Sequence, residues 1–229
     1  MKIFALDSCS KAISCAMIEN ENLIFEGYLD VDEPHSVKLM MLIDSMIKSS
    51  DVTLSSVDVF SCTIGPGSFT GQRIGISTIL GFADALNKPV VGISSLQALS
   101  YDIAINCRMV ICPILDARND FIYTALYQYK NDSANANYSN NVISVKSDHV
   151  INIEIWLEFL KKNYNQLIFV GECNKFQARI KNIFSTSLCL EKNINAVSVA
   201  RLAQNQAPYP ARQLRPIYLR KSQADNNFS

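Results

Sequence analysis

The segment GPGSFTGQRIG (65–75) holds Gly65, Gly67, Gly71 and Gly75, half of the chain's eight glycines. Glycine inside a regular element costs roughly 0.5–1 kcal/mol relative to alanine, because it loses the most backbone freedom on folding. Such a density therefore implies backbone shapes or close approaches that other residues cannot adopt. The apolar, strand-like run VDVFSCTI (57–64) precedes the segment, and a helical pattern follows it to about Asn87. Strand, glycine loop and helix N-terminus form a geometry suited either to phosphate or to tight backbone contact. Gly65, Gly67, Ser68, Thr70 and Arg73 are the loop residues to follow.

Two phosphate fingerprints fail on these residues. A P-loop needs G-x-x-x-x-G-K-[ST], but Thr70 stands five positions after Gly65, and Gly71 is followed by Gln72 and Arg73. The dinucleotide fingerprint G-x-G-x-x-G needs a third glycine where Thr70 stands. The other reading is that Pro66 stiffens the strand exit while the glycines permit close packing.

Outward from the loop, the order is mixed α/β. Lys2–Leu6, AISCAMIE and LIFEGYLDV read as a three-strand meander. Pro34 precedes the helix HSVKLMMLIDSMIKSS, and after helix 72–87 come the strand KPVVGISS and the helix 96–106. The chain then begins again. In VICPILDARNDFIYTALYQYK (110–130), Leu115-Asp116, Ile122 and Ala125 match Leu6-Asp7, Ile13 and Ala16 at a constant offset of 109 (116 − 7, 125 − 16). This predicts two lobes on one plan, 1–106 and 107–229, with the helix and tail after 195 free to return to the first lobe. A polar loop (131–141), a strand VISV, the helix 151–163 and the strand LIFVGEC complete the second lobe. Mixed sheets covered by helices are the architecture such a pattern supports.

Composition excludes several functions. With 21 basic and 21 acidic residues the formal charge is zero, so no global field draws in nucleic acid or anionic membrane. The seven cysteines are odd in number, lack CxxC and sit mostly in apolar runs, as buried core residues of a reducing compartment. Asp7 interrupts the first apolar run too early for a signal peptide, and no apolar stretch reaches membrane-spanning length. A cytoplasmic protein is expected.

The reactive inventory is thin. Asp7 and Asp116 each end an apolar strand at a polar turn, where an actin-type fold can hold a metal–phosphate group. No glycine follows either one, and aspartate also favours turns for its own sake. His35 starts a helix, but Leu39 stands where a helical metal site would need a second histidine. No serine lies in G-x-S-x-G. No metal or cofactor is expected.

The helices carry more. On helix 36–49, Leu39, Met40, Leu42, Ile43, Met46 and Ile47 span an arc of roughly 160° at about 100° per residue. Val37 and Met41 fall outside that arc. On helix 72–87 Gly71, Gly75, Thr78 and Ala85 align as a small-residue face. Helices apolar on both sides need cover on both: either these two cover each other, or another subunit does. From Arg201 to Lys221 five basic residues occur with no acidic one, as a solvated tail, a partner-docking strand or a phosphate contact.

ALDSCSKAIS, PHSVKLMMLID, IGPGSFTGQRIG, PVVGISSLQAL and RPIYLRKS together resemble the bacterial TsaB family of tRNA threonylcarbamoyladenosine biosynthesis. The likeness is dense over 1–100, thin over 130–195 and returns at the tail. It implies a two-lobed actin/Hsp70-like (ASKHA) duplicated fold and a non-catalytic subunit. Such a subunit pairs with a larger homologue, TsaD, which carries the metal and modifies adenosine beside the anticodon. An ATPase, TsaE, completes the assembly, tRNA is met only through the complex, and the isolated subunit forms weak homodimers. TsaD has a His-x-x-x-His motif; at the similar place this chain offers only His35, with Leu39 opposite the second ligand. Pairing through the first-lobe helices implies contacts at His35, Val37, Met40, Met41, Gly71, Gly75, Thr78 and Phe82. The competing expectation is a stand-alone actin-type ATPase or a peptidase.

Overall fold

The N-terminal run KIFALD forms β1 (Lys2–Asp7), buried from its second residue onward. The computed structural model describes all residues except 21, 31–34, 50–51, 130–141 and 221–229. It divides into one unit of Met1–Ala98 with Ile194–Ile217, and another of Leu99–Asn193 with the residues from Tyr218 onward.

In the first unit β1 pairs antiparallel with β2 (Ile13–Glu19), which pairs antiparallel with β3 (Asn22–Leu29). On its other side β1 runs parallel to β4 (Val59–Thr63), followed by the parallel β5 (Val90–Ile93). Parallel strands need crossover helices that cover the sheet. Accordingly α1 (His35–Ser49) and α2 (Phe69–Leu86) link β3 to β4 and β4 to β5, and every residue of β4 is buried. Helix α1 inserts Leu39, Leu42, Ile43 and Met46 at helical spacing. Helix α2 is capped by Ser68, whose hydroxyl accepts from Gly71 N, and stops at Asn87 in the left-handed region (φ 52°). The rings of Phe4, Phe60 and Phe82 meet at centroid distances of 5.9–6.2 Å in the core.

Helix α3 (Ser95–Ala104) leads into the second unit. There β6 (Ile111–Asp116), β7 (Phe121–Tyr129) and β8 (Val142–Asn152) form an antiparallel meander, and β9 (Ile168–Gly171) and β10 (Leu188–Glu191) extend the sheet in parallel. Helix α4 (Ile153–Asn163) buries Ile153, Trp156, Leu157 and Leu160, and α5 (Gln177–Ile183) lies between β9 and β10. The order β8-β7-β6-β9-β10 repeats the first unit's β3-β2-β1-β4-β5. This is the duplicated actin/Hsp70-like α/β plan.

Three details depart from expectation. Asp7 pairs with Ser14, but Asp116 pairs with Ile122, one residue sooner. The offset of 109 therefore holds for β6 and becomes 108 for β7, because the second turn is shorter. The division falls after Ala98 rather than Asn106, while residues 194–217 group with the first unit, the return to the first lobe that the sequence had left open. The reason is packing: α6 (Ala196–Ala203) lies on β1 and β2, with Ser14 Oγ accepting from Ala196 N (3.0 Å) and donating to Ile194 O (3.2 Å). Finally, VISV is the start of an eleven-residue strand that runs directly into α4. The stretch 131–141, Pro34 and Lys221 lie outside the described residues.

Candidate functional site

The C-terminal end of β1 meets the glycine loop, and the two are locked together by this chain's own groups. Asp7 is fully buried. Its Oδ1 accepts from Cys9 N (3.0 Å) and Thr63 Oγ1 (2.5 Å), and its Oδ2 accepts from Ser10 Oγ (2.6 Å) and Ser10 N (3.4 Å). A carboxylate offers about four lone-pair sites, and here the chain itself engages all four. Burial pushes the Asp7 carboxyl above its ordinary value, and the hydrogen bonds from Ser10, Thr63 and Cys9 partly oppose that rise.

Against this turn the glycines are required by contact. A Cβ on Gly67 would stand 2.7 Å from Cys9 O, on Gly71 1.9 Å from Ser8 O, and on Gly75 2.5 Å from Ser8 Oγ. Gly65 adopts φ +105°, a conformation that L side chains rarely accept. Ser68 N donates to Cys9 O (2.9 Å), and Ser8 Oγ donates to Gly71 O (2.8 Å). Of the two sequence alternatives, tight backbone contact is the one observed. Gly65, Gly67 and Ser68 belong to that contact, while Thr70 and Arg73 face outward, with the Arg73 guanidinium 4.2 Å over the Phe69 ring.

The raised Asp7 carboxyl fixes a sign for pH dependence. The folded state keeps this proton to higher pH than the unfolded chain, whose ordinary value is 3.8. Its contribution therefore falls as pH climbs from 3.8 through the raised folded value, and is fully lost above it. In denaturant titrations, wild type should gain stability relative to Asp7→Asn as pH is lowered through the raised folded value towards 3.8. A pH-independent difference would contradict the buried carboxyl with its raised value.

The remaining candidate groups are engaged elsewhere. Burial, reinforced by the Asp7 charge, pushes the Cys9 thiol up to about 12, and burial alone pushes Cys15 to about 12. Neither supplies a thiolate near neutral pH. In the second unit Asp116 accepts from Lys175 Nζ (2.6 Å) and Arg118 N (2.9 Å), a surface pair at a turn. His35 Nε2 donates to Lys11 O (3.0 Å), and Leu39 is buried. Among the described residues, no three of His, Cys, Asp and Glu come together as metal ligands. The basic C-terminal segment is not a free tail as far as Arg220. Tyr209 forms an antiparallel bridge with Val90, Ile217 N donates to Ile64 O (2.7 Å), and Arg220 donates to Ala117 O.

The eight expected contact residues separate into two groups. Val37, Met40 and Met41 are exposed, by 56%, 48% and 57%, on one face of α1, and His35 lies half-buried at its start. Met40 thus belongs outside the buried arc to which its helical angle assigned it. Gly71 and Gly75 are buried against Ser8 and Leu6 of the same unit, so the N-terminal half of α2's small-residue face is turned inward, while Thr78 is half-buried and Ala85 exposed. Phe82 joins the Phe4–Phe60 cluster, and the Thr78 hydroxyl donates to Ile74 O (2.8 Å). A bulky residue at Gly75 would meet Ser8 Oγ and Leu6 Cδ1 and should therefore cost folding before pairing, the reverse of what an interface glycine would do. Sequence reasoning missed Ser8 and Cys9 as the loop's partners; the signal was the i, i+4 spacing of Gly71 and Gly75 on a helix that must abut a strand end.

Residues 30–227 match the family model described as TsaD: tRNA N6-adenosine threonylcarbamoyltransferase. The chain is 28% identical over 233 residues to the tRNA threonylcarbamoyladenosine biosynthesis protein TsaB of Bacillus subtilis (strain 168), covering 98% of this chain and 96% of the relative. It is also 28% identical to the protein of that name from Escherichia coli (strain K12), over 56% of this chain and 55% of the relative. In fold it is similar to YeaZ from Pseudomonas aeruginosa, with a TM-score of 0.79 at 23% identity, covering 95% of this chain and 99% of that one. A second Pseudomonas aeruginosa structure, of an uncharacterized protein with similarity to peptidase YEAZ, gives 0.81 at 24% identity, with 96% and 99% covered. Model match, full-length relatives and shared fold agree, and the chain belongs to the TsaD: tRNA N6-adenosine threonylcarbamoyltransferase family, as a TsaB/YeaZ-type member.

Proposed function

We propose that this chain is the non-catalytic subunit that pairs with a TsaD-type homologue in forming threonylcarbamoyladenosine on tRNA beside the anticodon. The exposed Val37, Met40 and Met41 on one face of α1 carry the reading, since three large apolar side chains held together in water mark an interaction surface. A partner homologous to this chain is supported by the chain's own match to the TsaD family model and by relatives, spanning nearly the whole chain, that are named for this biosynthesis. A TsaE-like ATPase completes the complex, and tRNA is reached only within it. Alone, the subunit pairs weakly with itself, since an unsatisfied face can dock on its own copy. A cytoplasmic setting suits this work, and no described helix is long and apolar enough to cross a membrane.

The rival reading is a stand-alone ATPase or peptidase. It needs a carboxylate open to metal–phosphate or an ionised nucleophile. Asp7 is saturated by Cys9, Ser10 and Thr63, and the buried Cys9 thiol stays protonated. Isothermal titration of the isolated chain with ATP and magnesium should show little or no heat of binding. Co-purification with the TsaD-type subunit, followed by tRNA modification with each omitted in turn, should show activity only with both. ATP turnover or peptide cleavage by this chain alone would overturn the proposal.

A further inference from the structure

Both helices of the first unit's outer layer start on the same short turn. At the head of α1, His35 Nε2 donates to Lys11 O. At the head of α2, Ser68 N donates to Cys9 O, Gly71 O accepts from Ser8 Oγ, and Gly67 and Gly71 leave no room for a Cβ against the Cys9 and Ser8 carbonyls. Residues 8–11 thus seat two elements that are separated in sequence by β4. That turn has no repetitive structure to hold it. Its shape is set by Asp7, which gathers Cys9 N, Ser10 N and Ser10 Oγ and ties them to Thr63 at the end of β4. A buried carboxylate is a costly device for a turn, since burial raises the energy of its charged form. Serine or asparagine commonly serve the same purpose at lower cost.

We infer that Asp7 is a positioning residue that seats α1 and α2 together, so that the α1 docking face is presented in one fixed geometry. This rests on the pairing reading above. The role lies in the hydrogen bonds rather than in the charge. In Asp7→Asn the Oδ1 atom still accepts from Cys9 N and Thr63 Oγ1. The new Nδ2 donates to Ser10 Oγ, whose own proton can turn to Ala12 O, 3.1 Å away. Only the long Ser10 N contact is lost. Asp7→Ala leaves the Cys9 and Ser10 amides without this acceptor, and leaves the two hydroxyls only Ala12 O and Cys9 Sγ, which do not tie the turn to β4 through position 7.

The experiment combines amide hydrogen exchange on the full chain with affinity for the TsaD-type subunit, for wild type, Asp7→Ala, Asp7→Asn and Thr63→Val. Asp7→Ala should raise exchange together at the starts of α1 (35–41) and α2 (68–73) by about tenfold or more, with the last turn of α2 (83–86) still protected. Its affinity for the partner should fall by about tenfold or more, while Asp7→Asn stays within roughly threefold of wild type. Thr63→Val, which keeps the side-chain shape and removes the hydroxyl shared by Asp7 Oδ1 and Cys9 Sγ, should show the same paired pattern at smaller size, and it carries the test if Asp7→Ala does not fold. Exchange that rises at the turn alone, or at one helix without the other, overturns the inference. So does Asp7→Asn behaving like Asp7→Ala. Wild type that shows no affinity for the partner would instead defeat the pairing reading, and the exchange data would still decide whether Asp7 seats the helices.

Discussion

Gly71→Ala should destabilise the first unit by about 3–5 kcal/mol, among the largest effects of a single methyl. The added Cβ would stand 1.9 Å from Ser8 O and 3.0 Å from Ser8 C, and these are backbone atoms that cannot swing aside. Relief requires α2 to lift from the β1–β2 turn. That would sacrifice the Ser68 N–Cys9 O and Ser8 Oγ–Gly71 O bonds and loosen Ile76 and Ile79 in the core beneath. The melting transition of this unit should drop by roughly 10 °C. Gly81 supplies the control. It lies on the same helix with nothing within 4 Å of a built Cβ. Gly81→Ala should therefore stabilise by about 0.5–1 kcal/mol, through the lost backbone freedom of the unfolded chain. Thermal melts and urea titrations of the two variants should move in opposite directions. A Gly71→Ala protein as stable as wild type would mean that α2 does not seat on the turn as described.

That contrast also shows where sequence reasoning reached and where it stopped. Glycine density at 65–75 announced a close approach, and strand and helix periods located β1 to β7, β9, α1 to α4 and α6 with small errors at their ends. The repeat was readable because Leu6-Asp7 and Leu115-Asp116 close equivalent strands at equivalent turns. Its one-residue slip at β7 was not, since loop length leaves no mark on identities as sparse as Ile122 and Ala125. The short α5 and β10 escaped notice because seven and four residues give too few periods to count. The site was half visible. Val37 and Met41 were separable on the helical wheel by angle alone. Gly71 and Gly75 were misdirected because a small-residue face has the same sequence signature whether it receives its own chain or another. Only knowing that Ser8 stands opposite decides between the two. Met40 fell inside the apolar arc by angle and was also named as a contact; it is exposed, and the side chains α1 buries are Leu39, Leu42, Ile43 and Met46.

The exposed side of α1 yields the second large effect. Val37→Asp combined with Met41→Asp should weaken association with the TsaD-type subunit by about 100-fold or more, equivalent to about 2.7 kcal/mol. Each substitution would place a carboxylate where an apolar face excludes water, and a charge buried without a partner is strongly unfavourable. Stability of the isolated chain should stay within about 0.5 kcal/mol, because both side chains are more than half exposed and touch little of the core. Ile155→Asp tests whether any loss of surface apolarity suffices. Ile155 is 60% exposed on α4, in the other unit, so its replacement should leave association unchanged. Any self-association of the free subunit should fall with the α1 variant and persist with the α4 variant, as measured by light scattering. Equal affinity in wild type and the α1 double variant would remove the ground for a docking role. Three large side chains held in water on one helix would then be scattered surface apolarity, which needs no partner to explain it.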